Sequence, residues 1–162
     1  MIVTPLMIIF LIIVFILVWF FIKSIDDQRK WLNIIITIVL TPVVYFYIFY
    51  PLLNIFSSYH HQKYFNATQW LEKPNLRYEM SNHIIDEKLF IGKTKEEIES
   101  KLGKSEWFGW DDTLKANSEQ IWNYNLGFKP GAFNNNQECL ELIFKENRVI
   151  GCKQYQLEKT YD

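Results

Sequence analysis

Four groups of residues in this 162-residue chain have the types and spacing to do chemistry. His60 and His61 are adjacent, and neighbouring imidazoles can hold a metal or respond to pH near neutrality. No HEXXH pattern surrounds them, and no carboxylate or thiol stands beside them, so a pair of polar interface residues is the simpler reading. His83 stands alone and reads as a surface or core-edge residue. Asp111-Asp112 could act as paired carboxylates, but they follow Trp110 in a loop-like stretch, where Asp commonly shapes turns. The chain has no G-x-S-x-G elbow and no Gly-rich phosphate loop. These residues point to a protein that is not an enzyme and that carries no cofactor or metal.

The remaining groups are aromatic and sulfur-bearing. Trp107, Phe108 and Trp110 put three large rings within four residues, more than a short segment easily buries. Aromatic side chains are enriched where proteins bind proteins. The competing reading has two of the three rings capping a sheet or dipping toward headgroups. Tyr124, on a predicted strand, and Phe128, in the loop expected over 127–137, complete the candidate protein-binding set with Trp107, Phe108 and Trp110. Cys139 and Cys152 are the only cysteines, too few for a structural zinc site.

The elements that must position these residues begin with a membrane anchor, assigned to residues 1–56. Residues 2–22 carry no charge, and as a helix they would span about 31 Å, the thickness of a hydrocarbon core. No basic residue precedes this run, which is longer than a signal-peptide core and ends in bulky side chains, so the helix is retained. A second apolar run over 31–56, with its helix expected at about 31–50, makes a transmembrane hairpin. Pro42 should kink it. The connector over 23–30 holds Lys23, Arg29 and Lys30, which favours the cytoplasmic side and leaves the C-terminal region outside. Neither run carries an internal charge, which argues against an ion path.

Residues 57–74 read as a juxtamembrane segment, with a weak glycosylation match at Asn66-Ala67-Thr68. Three of the 17 basic and two of the 18 acidic residues lie before residue 57, leaving 14 and 16 beyond it. That near-neutral mixture gives no footprint for nucleic acid. Leu76, Met80 and Ile84 recur every four residues and predict a helix over 75–89. Thr94 with Glu97 three residues on forms a capping-box signature, and Gly103 suits the end of a two-turn helix. Strands are expected at 121–126, 138–144 and 149–156, the last two joined by a turn at Glu146-Asn147. That turn places Phe144 opposite Val149 and Leu142 opposite Gly151. Cys139 would then face Gln154, and Cys152 would face Glu141. The cysteines would share a face diagonally, about 7–8 Å apart and beyond ordinary disulfide reach. An oxidising compartment and a bulged sheet would favour a bond. The expected fold is α+β: the transmembrane hairpin, then a two-layer domain over 75–162 with two helices on a three-stranded antiparallel sheet.

The run IGKTKEEIESKLGK, preceded by an R..M helix and followed by IWNYNLG and LELIFKENRVIGCKQ, resembles the SmpA/OmlA (BamE-like) domain family over about residues 76–156. The resemblance implies a small bacterial envelope domain that binds other proteins without catalysis. The best-known members are lipoproteins of the outer-membrane β-barrel assembly machinery. This chain has no lipid-attachment cysteine near its start and uses apolar helices instead, which suggests a relative held in the inner (cytoplasmic) membrane. The expected function is therefore a membrane-anchored, non-catalytic envelope protein, partnered by the lipid bilayer and by an unidentified envelope protein in outer-membrane or envelope assembly. An envelope inhibitor or immunity protein against a toxin is the alternative.

Overall fold

Thr4 and Pro5 fix the start of the first helix in the computed structural model, which describes residues 1–158. The Thr4 hydroxyl accepts from the Met7 N–H at 3.2 Å, and Pro5 occupies the first turn, where its missing donor costs nothing. Helix α1 runs Pro5–Ile25, past the end of the apolar stretch and into the charged connector. The second apolar run is α2 (Lys30–Val44), a π-helical turn (Tyr45–Phe49) and α3 (Tyr50–Phe56) in one rod. Pro42 lies inside α2, and Pro51 lies in the first turn of α3. The wider π turn comes just before Pro51, where an α-helical bond would need the donor that proline lacks. The rod therefore continues to Phe56 rather than stopping near residue 50. Both Pro5–Ile25 and Lys30–Phe56 are long and apolar enough to cross a membrane.

The chain divides into two compact units. Residues Ile2–His61 with Pro130–Ala132 form the first. Met7, Val14 and Val18 of α1 are buried there, as are Asn33, Thr37 and Thr41 of α2. The Thr37 and Thr41 hydroxyls each donate to the carbonyl four residues back, at 2.7 Å, so neither enters the interior unpaired. The Asn33 amide donates to the Asp26 carbonyl and closes the connector. This polar stripe of small side chains lets the helix backbones approach closely.

The second unit begins at Gln62 and is α+β. Its helices are α4 (Ala67–Glu72), a 3-10 turn (Pro74–Leu76), α5 (Tyr78–Asp86) and α6 (Lys95–Leu102). The Thr94 capping box forms as its residues demand, with Thr94 N–H donating to Glu97 Oε2 at 2.8 Å. Helix α4 lies in the stretch read as juxtamembrane. Asn66 caps it by accepting from the Gln69 N–H at 2.9 Å, and Trp70 sinks fully into the core.

The sheet has four strands rather than the expected three: β1 (Trp107–Asp111), β2 (Ala116–Phe128), β3 (Asn136–Lys145) and β4 (Arg148–Glu158), antiparallel in the order β1-β2-β3-β4. The added strand β1 forms an edge. Trp122, Tyr124, Leu140, Leu142, Phe144 and Val149 pack with Trp70, Met80, Ile84, Ile98 and Leu102 in one core. Glu146 and Asn147 both take positive φ, 50° and 63°, as a tight hairpin turn requires.

Phe144 pairs with Val149, but a bulge follows, because β4 contributes the extra residue Ile150. Leu142 consequently faces Cys152 instead of Gly151, and Cys139 faces Tyr155 instead of Gln154. A one-residue slip reverses faces. Cys152 therefore packs toward the helices with Leu142, while Cys139 lies on the opposite face, and both are free thiols. The bulge that was expected to help a disulfide prevents it.

Candidate functional site

Strand β1 owes its place to Arg77, which is buried at the end of the 3-10 turn. Its Nε donates to the Trp70 carbonyl at 2.8 Å, and its Nη1 donates to Glu106 Oε1 at 2.6 Å and to the Asn125 carbonyl at 3.1 Å. The guanidinium also lies over the Trp70 ring, 4.8 Å from its centroid. Glu106 in turn accepts from the Asn125 N–H through Oε2 at 3.0 Å. The residue just before β1 is thus clamped to both β2 and the helical layer.

From that clamp the strand alternates. Trp107 pairs with Asn123 and Phe108 with Trp122. A Cβ on Gly109 would come within 2.3 Å of Ile121 Cγ2 and 2.8 Å of Asn123 Nδ2, so β2 side chains occupy the space a larger residue would need. Trp107 and Gly109 therefore face away from the helices. Phe108, paired with the core residue Trp122, lies on the helical side, and Trp110 follows two residues along β1, past a register shift between Phe108 and Gly109. Phe108 is 41% exposed, Trp110 58% and Leu114 of the β1–β2 turn 65%. Phe108 lines a cleft of about 340 Å³ together with Glu99, Lys104, Ser105 and Trp122. Lys95 screens the far side of Trp122, its ammonium 5.6 Å from the ring centroid and bonded to the Glu119 carbonyl at 2.8 Å.

The five residues singled out from the sequence therefore divide. Phe108 lines the cleft, and Trp110 is exposed further along the β1 edge. Trp107 is half-buried on the other face, near Tyr155, whose hydroxyl donates to Asn123 Oδ1 at 2.9 Å. These two rings roof the fully buried Asn123 and Cys139. Tyr124 has no exposed surface, and its hydroxyl donates to the Gly103 carbonyl at 3.0 Å. Phe128 pairs with Gln137 on the face away from the helices and is 39% exposed. Leu114 and the Arg77 clamp were not picked out from the sequence. Arg77 has no short-range signal, since its partners lie 7, 29 and 48 residues away.

The other groups have local explanations. Asp111 Oδ1 accepts from the Thr113 and Leu114 N–H groups at 2.8 and 3.2 Å, which makes it a turn residue. In the first unit His61 is buried against aromatic rings, stacked on Tyr50 at 4.0 Å and sharing a 3.0 Å hydrogen bond with the Tyr45 hydroxyl. His83 accepts from the Phe65 N–H at 3.1 Å. Burial pushes the Cys139 thiol up to about 11 and the Cys152 thiol up to about 12, which keeps both protonated and poorly nucleophilic at neutral pH. Burial likewise raises the Tyr155 hydroxyl to about 12, against the opposing Trp107 N–H. Among the described residues no three His, Cys, Asp or Glu side chains are grouped to hold a metal ion.

Comparison of the chain with family models, with curated proteins and with solved structures gives no match in any of the three.

Proposed function

We propose that this chain is a membrane-anchored, non-catalytic protein of the bacterial inner membrane whose α+β unit, outside the cytoplasm, captures another envelope protein in envelope assembly. The observation that carries this reading is Phe108, 41% exposed and lining a cleft with Glu99 and Lys104, with the exposed Trp110 two residues further along the same strand. Exposed aromatic rings next to a concavity suit a partner's apolar side chain, and burying a Trp or Phe of this kind is worth roughly 2 kcal/mol or more. The two apolar helices supply the tether. The basic connector favours the cytoplasmic side, which would put the α+β unit across the membrane. Strand β1, at the edge of the sheet, carries the recognition residues.

Site-specific photocross-linking tests the proposal. A benzophenone side chain in place of Trp110, in living cells, should give one dominant protein adduct. Phe108→Ala should abolish it, while the same probe in place of Glu158, at the end of β4, should give none. Equal adducts from both positions would mean that the cleft is not the capture site.

A further inference from the structure

The loop joining β2 to β3 carries the residues Pro130–Ala132, which belong to the same compact unit as the apolar helices. One backbone hydrogen bond ties them to those helices. Ile55 lies in the last turn of α3, where helix carbonyls have no partner within the helix. Its carbonyl accepts from the Ala132 N–H at 3.1 Å. The loop backbone therefore caps the end of the second apolar rod.

The depth of that end follows from length. The rod Lys30–Phe56 has 27 residues and would be about 40 Å long, against about 30 Å of hydrocarbon and about 40–45 Å with both headgroup layers. With the charged connector at one edge of the hydrocarbon, the excess of about 10 Å carries Ile55 into the headgroup layer of the other leaflet. The residue that follows Ala132 is Phe133, whose side chain is 89% exposed, more than any other large apolar residue among those described. Phe56, beside Ile55, is 81% exposed. An aromatic ring with nothing packed on it, one bond from a segment held at headgroup depth, has a bilayer as its natural surroundings.

We infer that the β2–β3 loop docks on the phospholipid bilayer, with Phe133 inserted among the headgroups and upper acyl segments of the leaflet in which the second apolar helix ends. This rests on the membrane-anchor part of the proposed function and is independent of which side of the membrane that leaflet faces. The loop then gives the chain a third attachment to the membrane, beside its two helices.

The test uses the full chain in vesicles of phosphatidylethanolamine and phosphatidylglycerol. The probe p-benzoylphenylalanine is placed singly at Phe133, at Ile12 on the exposed face of α1, and at Lys115 in the polar β1–β2 turn. After irradiation, lipid adducts are counted by mass spectrometry. The expected yield at position 133 is at least roughly tenfold that at 115, as the burial of a Phe ring implies, and comparable with that at 12. Labelling at 12 with position 133 no higher than 115 overturns the inference and leaves the anchor standing. No labelling at 12 overturns the anchor, and the inference with it. An adduct between two chains from position 133 would assign the ring to a second copy and also overturn it.

Discussion

Replacing Arg77 with Met should cost the α+β unit about 3 kcal/mol and disable the cleft, although Arg77 touches neither Phe108 nor Trp110 in the hydrogen-bond network that holds β1. The magnitude follows from its partners. Two of its hydrogen bonds go to the Trp70 and Asn125 carbonyls, at 2.8 and 3.1 Å. A hydrogen bond from a charged donor contributes about 1.5–3 kcal/mol, and the Trp70 carbonyl belongs to a fully buried residue. The third partner, Glu106, has a side chain 37% exposed, so water replaces much of what that pair loses. Met retains the packing of the aliphatic stem but not the stacking on Trp70. At about 4–8 °C per kcal/mol for a unit of this size, the melting temperature should fall by roughly 12–24 °C. Glu106→Gln should cost only about 1 kcal/mol, because a Gln oxygen can still accept from the Asn125 N–H. The assay is urea unfolding of the full chain in mild detergent, followed by tryptophan fluorescence. A loss below about 1 kcal/mol for Arg77→Met would refute the idea that this guanidinium organises the edge of the sheet.

Trp110→Ala should leave the unfolding midpoint within about 0.5 kcal/mol of the parent, yet reduce partner capture roughly tenfold or more. Trp107→Ala should do the reverse, destabilising by about 2–3 kcal/mol through loss of the roof over Asn123 and Cys139, as differential unfolding would reveal. Gly127→Ala should cost at least about 3 kcal/mol by calorimetry, since φ is +88° and the new Cβ would stand 2.4 Å from the Asn75 carbonyl oxygen. The two thiols should react slowly with a disulfide reagent at pH 8 when folded and quickly in urea. Their folded pKa values lie above the ordinary 9.0, so the unfolded chain loses its thiol protons first. Their stabilising contribution is therefore complete below about pH 9 and declines as pH rises toward about 12, which pH-dependent urea midpoints would register.

Local signals in the chain translated directly into structure, and long-range ones did not. The Thr94–Glu97 box and the Glu146-Asn147 turn act within four residues, so their side chains alone dictate the outcome. Strand β1 was hidden because Trp-Phe-Gly-Trp-Asp shows no alternation of apolar and polar residues. Its buried face at Gly109 is supplied by Ile121 and Asn123 from another strand. Helix α4 did leave a trace: Asn66 followed by Gln69 is a helix-start pattern, masked by the polar residues around it. The bulge at Ile150 separates the two cysteines by face, and nothing in the hairpin turn announces it. The rings of Trp107, Phe108 and Trp110 were visible as a group. Their division between a roof and a cleft depends on strand alternation in an element the sequence did not disclose.

The central claim is that the α+β unit works outside the cytoplasm on a membrane tether. A pair of C-terminal reporters tests this most directly, one active only outside the cytoplasm and one active only inside it. The account predicts activity from the outside reporter alone. Activity from the inside reporter alone would place Phe108 and Trp110 in the cytoplasm and contradict an envelope partner.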